Sequence, residues 1–340
     1  PKIDDNQAAV GVSGECSMNG STIMSVETFN NARVSIDCGN YEYRNSASSC
    51  IGQGSFGSVF CGLETTTGRN VAIKKMPKTK LKENELKVMK AVSSKYLVAL
   101  IEICMDTADD LYIIMELCDI DLDRHLRFHT QNGYLSPNDL KLLIDNVTRG
   151  YHALYESNIV HRDLKPQNIL VKYDPLRREF QSAKISDFGI SRILTDEQDE
   201  ALCNIAGTFY YMAPEVGANI LTSTEYDYEV DMWSLGCVFY QCITGEVPFN
   251  ECMLCRIFLF TASGNYDAYD KPTLPDDLDM EIQWLVESLL EMDSTKRITP
   301  KKLYSTICQW SKCSWWNNSG TCADSDDNGS CCSSRNSIES

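Results

Sequence analysis

The chain lacks several features that would have fixed its class at once. Across 340 residues no apolar run is long enough to span a bilayer: VALIEICM is too short, and CMLCRIFLF is interrupted by Arg256. The chain opens at Pro1 with no signal-peptide pattern. The missing initiator Met reads as a processed or cut-down chain, which leaves a lost upstream anchor open. No internal repeat is visible, so a stacked-repeat architecture is excluded. Basic residues are the minority, 31 Lys and Arg against 48 Asp and Glu, for a formal net charge of −17. Such a chain is a poor candidate for coating nucleic acid. The acidity reads as solubility, or as a surface that draws basic substrates.

Cysteine is abundant, at 16 residues. Cys104, Cys118, Cys237 and Cys242 fall within apparent strands and helices. They read as buried free thiols of a reducing, cytoplasmic setting rather than as a disulfide framework. Cys252 and Cys255 form a CxxC with no second pair at zinc-finger spacing. The tail cysteines lack regular spacing and nearby histidines, so a structural zinc is not expected.

Composition divides the chain. Residues 1–45 are rich in Asn, Ser and Gly and read as a flexible or loosely docked extension. From 46 to 117 the pattern is strand-rich, with one helix near 80–92 carrying Leu81, Leu86, Val88, Met89 and Val92. Residues 120–311 are mostly helical, with long apolar-periodic stretches near 137–154, 228–244 and 280–292. From 312 to 340 Ser, Asn, Asp, Gly and Cys dominate, and a flexible tail is expected. A strand-rich part before a larger helical part predicts a two-lobed α+β fold.

Five strings stand out for their chemistry. GQGSFGSV, with Gly52, Gly54 and Gly57, lets backbone amides approach phosphates. A strand rather than a helix follows it, so a hairpin is expected and not a dinucleotide-binding turn. Lys74 sits in the apolar strand VAIK and needs an anionic partner. Glu85 on the next helix is preferred over Glu83. HRDLKPQN (161–168) offers a carboxylate at Asp163, an ammonium at Lys165 and an amide oxygen at Asn168. DFG adds Asp187, and APE follows at Ala213–Glu215. Hard oxygen ligands of this kind suit Mg²⁺.

These strings, in this order and context, resemble the signature set of the eukaryotic protein kinases over roughly residues 46–311. The resemblance implies a bilobal kinase fold, with a small β-rich N-lobe (46–117) and a larger helical C-lobe (120–311). It also implies phosphoryl transfer from ATP with Mg²⁺. Asp163 then resembles the catalytic base, with Lys165, Asn168 and Thr208 around it, and Asn168 and Asp187 resemble the metal ligands. Ile51, Gly52, Gln53, Gly54, Ser55, Gly57, Val59, Ala72, Lys74, Glu85, Met115, Glu116, Cys118 and Leu170 correspond to the ATP site. Within it, Val59, Ala72 and Leu170 sandwich adenine, Met115 is the gatekeeper, and Glu116 and Cys118 offer hinge backbone groups. Asp231 resembles the anchor of the catalytic loop, and Arg297 the partner of Glu215. Lys165 and GTFYYMAPE are similar to the serine/threonine kinases, so protein Ser/Thr hydroxyls are the expected acceptors. A pseudokinase scaffold and a small-molecule kinase are the rival readings. Neither the lysine, the base, the metal ligands nor the APE region is missing.

Three departures stand out. Only ten residues separate Lys74 from Glu85, so the helix between them is expected to be short. The stretch from Asn168 to Asp187 is long and predicts an extended hairpin. With ISDFG and GCVFY it resembles the inositol-requiring stress-sensor kinases. Arg162 and Arg192 resemble a pocket for an activation-loop phosphate, yet the usual acceptor position falls on Asn204. Thr195, or the acidic residues near it, is the expected occupant.

Overall fold

The computed structural model describes residues 30–36, 40–54, 57–80, 83–106, 110–188, 191–193, 209–218 and 227–317. The first part is a sheet of seven strands: β1 (Arg33–Ile36), β2 (Tyr41–Arg44), β3 (Cys50–Gly54), β4 (Gly57–Glu64), β5 (Arg69–Pro77), β6 (Leu100–Met105) and β7 (Asp110–Glu116). Their order is β1-β2-β4-β5-β7-β6, with β3 also paired to β4. One helix, α1 (Glu83–Ala91), follows β5. It is nine residues long, as the short Lys74–Glu85 spacing predicts.

Strand alternation gives this sheet two different faces. Phe60, Val71, Ile73, Cys104, Tyr112 and Ile114 lie on the outer face, in a small core of their own with Ile36, Tyr41 and Tyr43. Val59 pairs with Lys74 and Ala72 with Met115, which puts these four on the inner face. That face continues through Met76 and Ile113 into the main core, where Val88 and Met89 of α1 also sit.

The outer core corrects the reading of residues 1–45 as loose throughout. Residues 33–44 form a hairpin, and Tyr41 and Tyr43 are buried at 5% and 4% exposure. β2 pairs with the far half of β4, the half that β3 leaves open. Two buried tyrosine rings supply the apolar area that docks this hairpin. Cys104 is corrected as well. It is disulfide-bonded rather than a free thiol.

The second part is helical: α2 (Leu122–His129), α3 (Pro137–Glu156), α4 (Pro214–Ala218), α5 (Glu229–Thr244), α6 (Glu251–Ser263), α7 (Met280–Leu289), α8 (Pro300–Trp310) and α9 (Ser314–Asn317). Two small sheets join it. β8 (Ile120–Asp121) pairs with β10 (Ile169–Tyr173), which pairs with β11 (Phe180–Ile185), and β9 (Ile159–Val160) pairs with β12 (Arg192–Ile193). The β10–β11 hairpin is the extension expected between Asn168 and Asp187. Its residues Ile169, Val171, Ala183 and Ile185 are fully buried in the helical core. α5 is buried almost all round, Trp233 and Phe239 included, and forms the centre of this lobe. The fold also runs past the expected end at 311. Trp315 and Trp316 of α9 pack on Trp310, and Trp316 is 8% exposed.

Candidate active site

The site lies where the irregular segment after β9 meets the start of β10. Irregular backbone needs external hydrogen-bond partners, and Asp231 supplies them from the middle of the molecule. This carboxylate is wholly buried on α5. Its Oδ2 accepts from the His161 N–H at 2.6 Å and from the Tyr151 hydroxyl at 2.9 Å, and its Oδ1 from the Arg162 N–H at 2.7 Å. Burial pushes the Asp231 carboxyl up from its ordinary value, against the pull of these donors. The carboxylate also braces Arg162 in a left-handed conformation, φ 70°. Such a backbone is costly for a side-chain-bearing residue and persists where its surroundings hold it.

The His161 ring adds a second brace. Its Nε2 donates to the Ser186 carbonyl at 3.0 Å, and its Nδ1 accepts from the Asp163 N–H at 3.3 Å. Those two bonds select one neutral tautomer. They also tie the loop to the residue before Asp187.

Asp163 itself is half-buried. Lys165 Nζ donates to both its carboxylate oxygens at 2.8 Å. Asn168 Nδ2 donates to the Asp163 carbonyl and to Oδ2, each at 2.8 Å. Both amide protons of Asn168 are committed, so its oxygen is the atom offered to a cation. Ser186 is bonded twice to the Asn168 carbonyl, through its N–H at 2.9 Å and its hydroxyl at 3.0 Å. This fixes Asn168 against Asp187, which has φ 61°. Asp187 Oδ1 lies 3.9 Å from Lys74 Nζ, which joins the inner face of the sheet to the loop.

Asn168 and Asp187 make a thin oxygen donor set, and no cluster of three His, Cys, Asp or Glu suited to a metal occurs among the described residues. Mg²⁺ is commonly held by one or two protein oxygens, with phosphates and water completing its shell. The residues present therefore fit Mg²⁺ arriving with a nucleotide rather than a metal caged by protein alone.

Of the expected nucleotide residues, Val59, Ala72, Lys74 and Met115 share the inner face. Leu170 lies on β10 across from Lys184 of β11. Ile51, Gly52 and Gln53 lie on β3, which pairs with β4 up to the Gly54–Gly57 position. Gly57 has φ 150°, and a Cβ there would run into the Lys75 carbonyl. The Glu116 N–H is taken by the Ala99 carbonyl at 2.9 Å. Cys118 is half-buried, and burial pushes its thiol up to about 12. Ser55, Thr195 and Thr208 lie outside the described residues, as do the side chains of Glu85 and Arg192. The Lys74–Glu85 pair and the phosphate pocket therefore stay expectations.

Sequence reasoning passed over Tyr151, Ser186 and the ring of His161. Ser186 was findable as the residue beside Asp187, but Tyr151 on α3 gave no local signal. Arg297 and Glu215 do meet, at 2.7 and 3.1 Å, with the guanidinium also over the Trp233 ring. A separate cavity of 610 Å³ opens between α2, the end of α5 and the start of α6, lined by Asp123, Arg127, Gln241 and Glu246 among others. None of the Asp163 cluster lines it.

Comparison with known proteins agrees with this geometry. Residues 46–308 match the protein kinase domain, and the chain belongs to that family. It is 31% identical to serine/threonine-protein kinase 33 of Mus musculus over 272 residues, 76% of this chain and 53% of that one. It is 35% identical to mitogen-activated protein kinase HOG1 of Blumeria graminis over 206 residues, 58% of this chain and 53% of that one. With serine/threonine-protein kinase fused of Drosophila melanogaster it shares 31% identity over 263 residues, 75% of this chain and 30% of that one. The chain thus spans about half the length of these curated relatives, or less. Among the described residues no helix is long and apolar enough to cross a membrane.

Proposed function

We propose that this chain transfers the γ-phosphoryl group of Mg²⁺-bound ATP to serine or threonine hydroxyls of protein substrates. The observation that carries the proposal is the position of Asp163, held by Lys165 and Asn168 beside the Asp187–Lys74 contact. In this reading the Asp163 carboxylate accepts the proton of the attacking hydroxyl. Lys165, now on that carboxylate, neutralises the phosphoryl group during transfer. Asn168 and Asp187 would hold the cation, which would supply positive charge against the phosphates when bound. Lys74 reaches the phosphates from the sheet. Val59 and Ala72 above, with Leu170 below, hold the adenine. The chemistry is positioning and electrostatic stabilisation, with little covalent demand on the protein.

The folded unit we assign to this activity runs from 33 to 317, wider than 46–311 at both ends. An intracellular setting belongs to the same proposal. The free thiols of Cys118, Cys237 and Cys242 fit it, whereas the Cys104 disulfide argues against it. Thr195, or acidic residues near it, facing Arg162 and Arg192, remains the proposed switch.

Incubation with radiolabelled ATP and generic protein substrates, with and without Mg²⁺, tests the assignment. Label should appear on serine and threonine, and only with the cation. Nucleotide binding without transfer under any condition would favour a scaffold instead.

A further inference from the structure

Glu116 belongs to both lobes at once. Its backbone is part of the sheet, opposite Val71 of β5 and bonded to the Ala99 carbonyl at 2.9 Å. Its carboxylate belongs to the hairpin of the helical lobe. Oε1 accepts from Lys172 Nζ at 2.9 Å, and Oε2 from Lys184 Nζ at 2.8 Å. The two ammonium groups come from adjacent strands, β10 and β11. The register Leu170↔Lys184 and Lys172↔Ser182 puts both lysines on the same face of the hairpin as Leu170. The opposite face, with Ile169, Val171, Ala183 and Ile185, is buried in the core. The lysines are therefore mounted on a rigid support and aimed back toward the crossing between lobes.

The strands on either side of that crossing are separated by residues 117–119 alone. Its far end is already fixed: the Asp119 N–H donates to the Val171 carbonyl at 3.0 Å, and the Asp119 carboxylate accepts from the Tyr173 N–H at 2.9 Å. The segment entering the sheet is also tied to the end of the hairpin, through the Val98 N–H on the Ile185 carbonyl at 2.9 Å and the Ile185 N–H on the Tyr96 carbonyl at 3.0 Å. The Glu116 side chain adds an attachment at the crossing itself.

We propose that Glu116, Lys172 and Lys184 form a charged clamp across the two lobes, which sets the width of the nucleotide cleft and so positions the nucleotide. This rests on the kinase reading above. The inner face of the sheet and Leu170 are its expected ceiling and floor, and the clamp ties the strand ending at the ceiling to the hairpin carrying the floor. The carboxylate is 21% exposed and the Lys184 side chain 12%, so the pairs are shielded from water more than an ordinary surface bridge. Burial alone would raise the Glu116 carboxyl, but the two lysine bonds outweigh it and hold it below its ordinary value. The Glu116 carboxylate is thus charged throughout the neutral range.

The test is calorimetric binding of a non-hydrolysable ATP analogue with Mg²⁺ to the full chain and to a Lys172→Met/Lys184→Met variant. Binding should weaken about three- to tenfold, with KM for ATP rising by the same factor and kcat within about twofold. Lys172→Arg/Lys184→Arg, which keeps the charge, should bind like the unaltered chain. Unchanged affinity in the methionine variant would overturn the clamp. So would a fall in kcat at constant KM, or a rise in kcat, since either assigns the lysines to something other than nucleotide positioning. Failure of the unaltered chain to bind the analogue would instead overturn the nucleotide reading, and the clamp with it.

Discussion

The two walls of the cleft are built by different means. On the helical side, residues 161–168 have little regular structure, and hydrogen bonds of 2.6 to 3.3 Å hold them from below and behind. On the sheet side, register places the side chains. Val59, Ala72, Lys74 and Met115 share a face because strands alternate. One contact joining the walls, Lys74 to Asp187, is long at 3.9 Å. A strand obtains its geometry from its neighbours, whereas a loop with left-handed residues at Arg162 and Asp187 must be fixed by named groups. Single substitutions should therefore act sharply on the loop side. On the sheet side they should act mainly where the backbone itself is special.

The largest effect should come from Asp163→Asn. The amide cannot accept the hydroxyl proton, so kcat should fall by at least about 10³-fold. Circular dichroism and the melting temperature should stay close to those of the unaltered chain. Retained transfer would remove Asp163 from the chemistry and leave the braced loop without a purpose.

Asp231→Asn removes the brace instead of the base. An asparagine presents one oxygen where three donors converge, so its NH₂ must face at least one of the His161, Arg162 or Tyr151 donors. A buried donor left in that state costs about 1–3 kcal/mol, and more where a charge was the acceptor. Urea unfolding should show a loss of about 3 kcal/mol, accompanied by reduced kcat. Full stability with full activity would show that the loop holds itself.

Much of the helical wall was legible in the sequence, because its chemistry requires fixed residue types within a few positions. Asp163, Lys165 and Asn168 fall in one octet, and they do converge. The long Asn168–Asp187 spacing likewise announced the β10–β11 hairpin. What escaped notice depended on distant partners. Nothing near Glu116 announces that its carboxylate meets two lysines more than fifty residues on. The β1–β2 hairpin was masked by its Asn- and Ser-rich surroundings, although YEYR alternates as a half-buried strand should. Trp315 and Trp316 were a comparable signal within a polar tail. Cys104 resembled the other buried cysteines, and no spacing in one sequence identifies a disulfide partner.

The helical wall also has a titratable weak point. His125 on α2 is 5% exposed, its Nδ1 lies 2.8 Å from the Tyr173 hydroxyl, and its ring packs on Phe180 of the hairpin. Burial, then the neighbouring His129, lowers it from 6.5 to about 4. Between those values the unfolded chain binds a proton that the folded chain excludes, so stability is lost as pH falls from 6.5 toward 4. The loss should total about 3 kcal/mol. His125→Phe should remove that part of the slope when urea midpoints at pH 7 and pH 4.5 are compared. An identical slope in the variant would mean that His125 titrates freely, and that the hairpin does not shield it.

The smallest expected effect tests the sheet wall on its own terms, at two glycines of one motif. Gly57 has φ 150°, and a Cβ would meet the Lys75 carbonyl on the neighbouring strand. A backbone carbonyl within a ladder cannot yield as a flexible side chain can, so Gly57→Ala must either strain the strand or displace the turn. The expected cost is about 1–3 kcal/mol, measured by denaturant unfolding, with weaker binding of an ATP analogue. Gly52 differs. A Cβ there would lie 3.7 Å from the Val59 Cβ, an ordinary contact. Gly52→Ala should leave stability within about 0.5 kcal/mol. Equal losses at both positions would mean that the loop is constrained throughout like the helical wall, and that the two sides of the cleft differ less than their hydrogen bonds suggest.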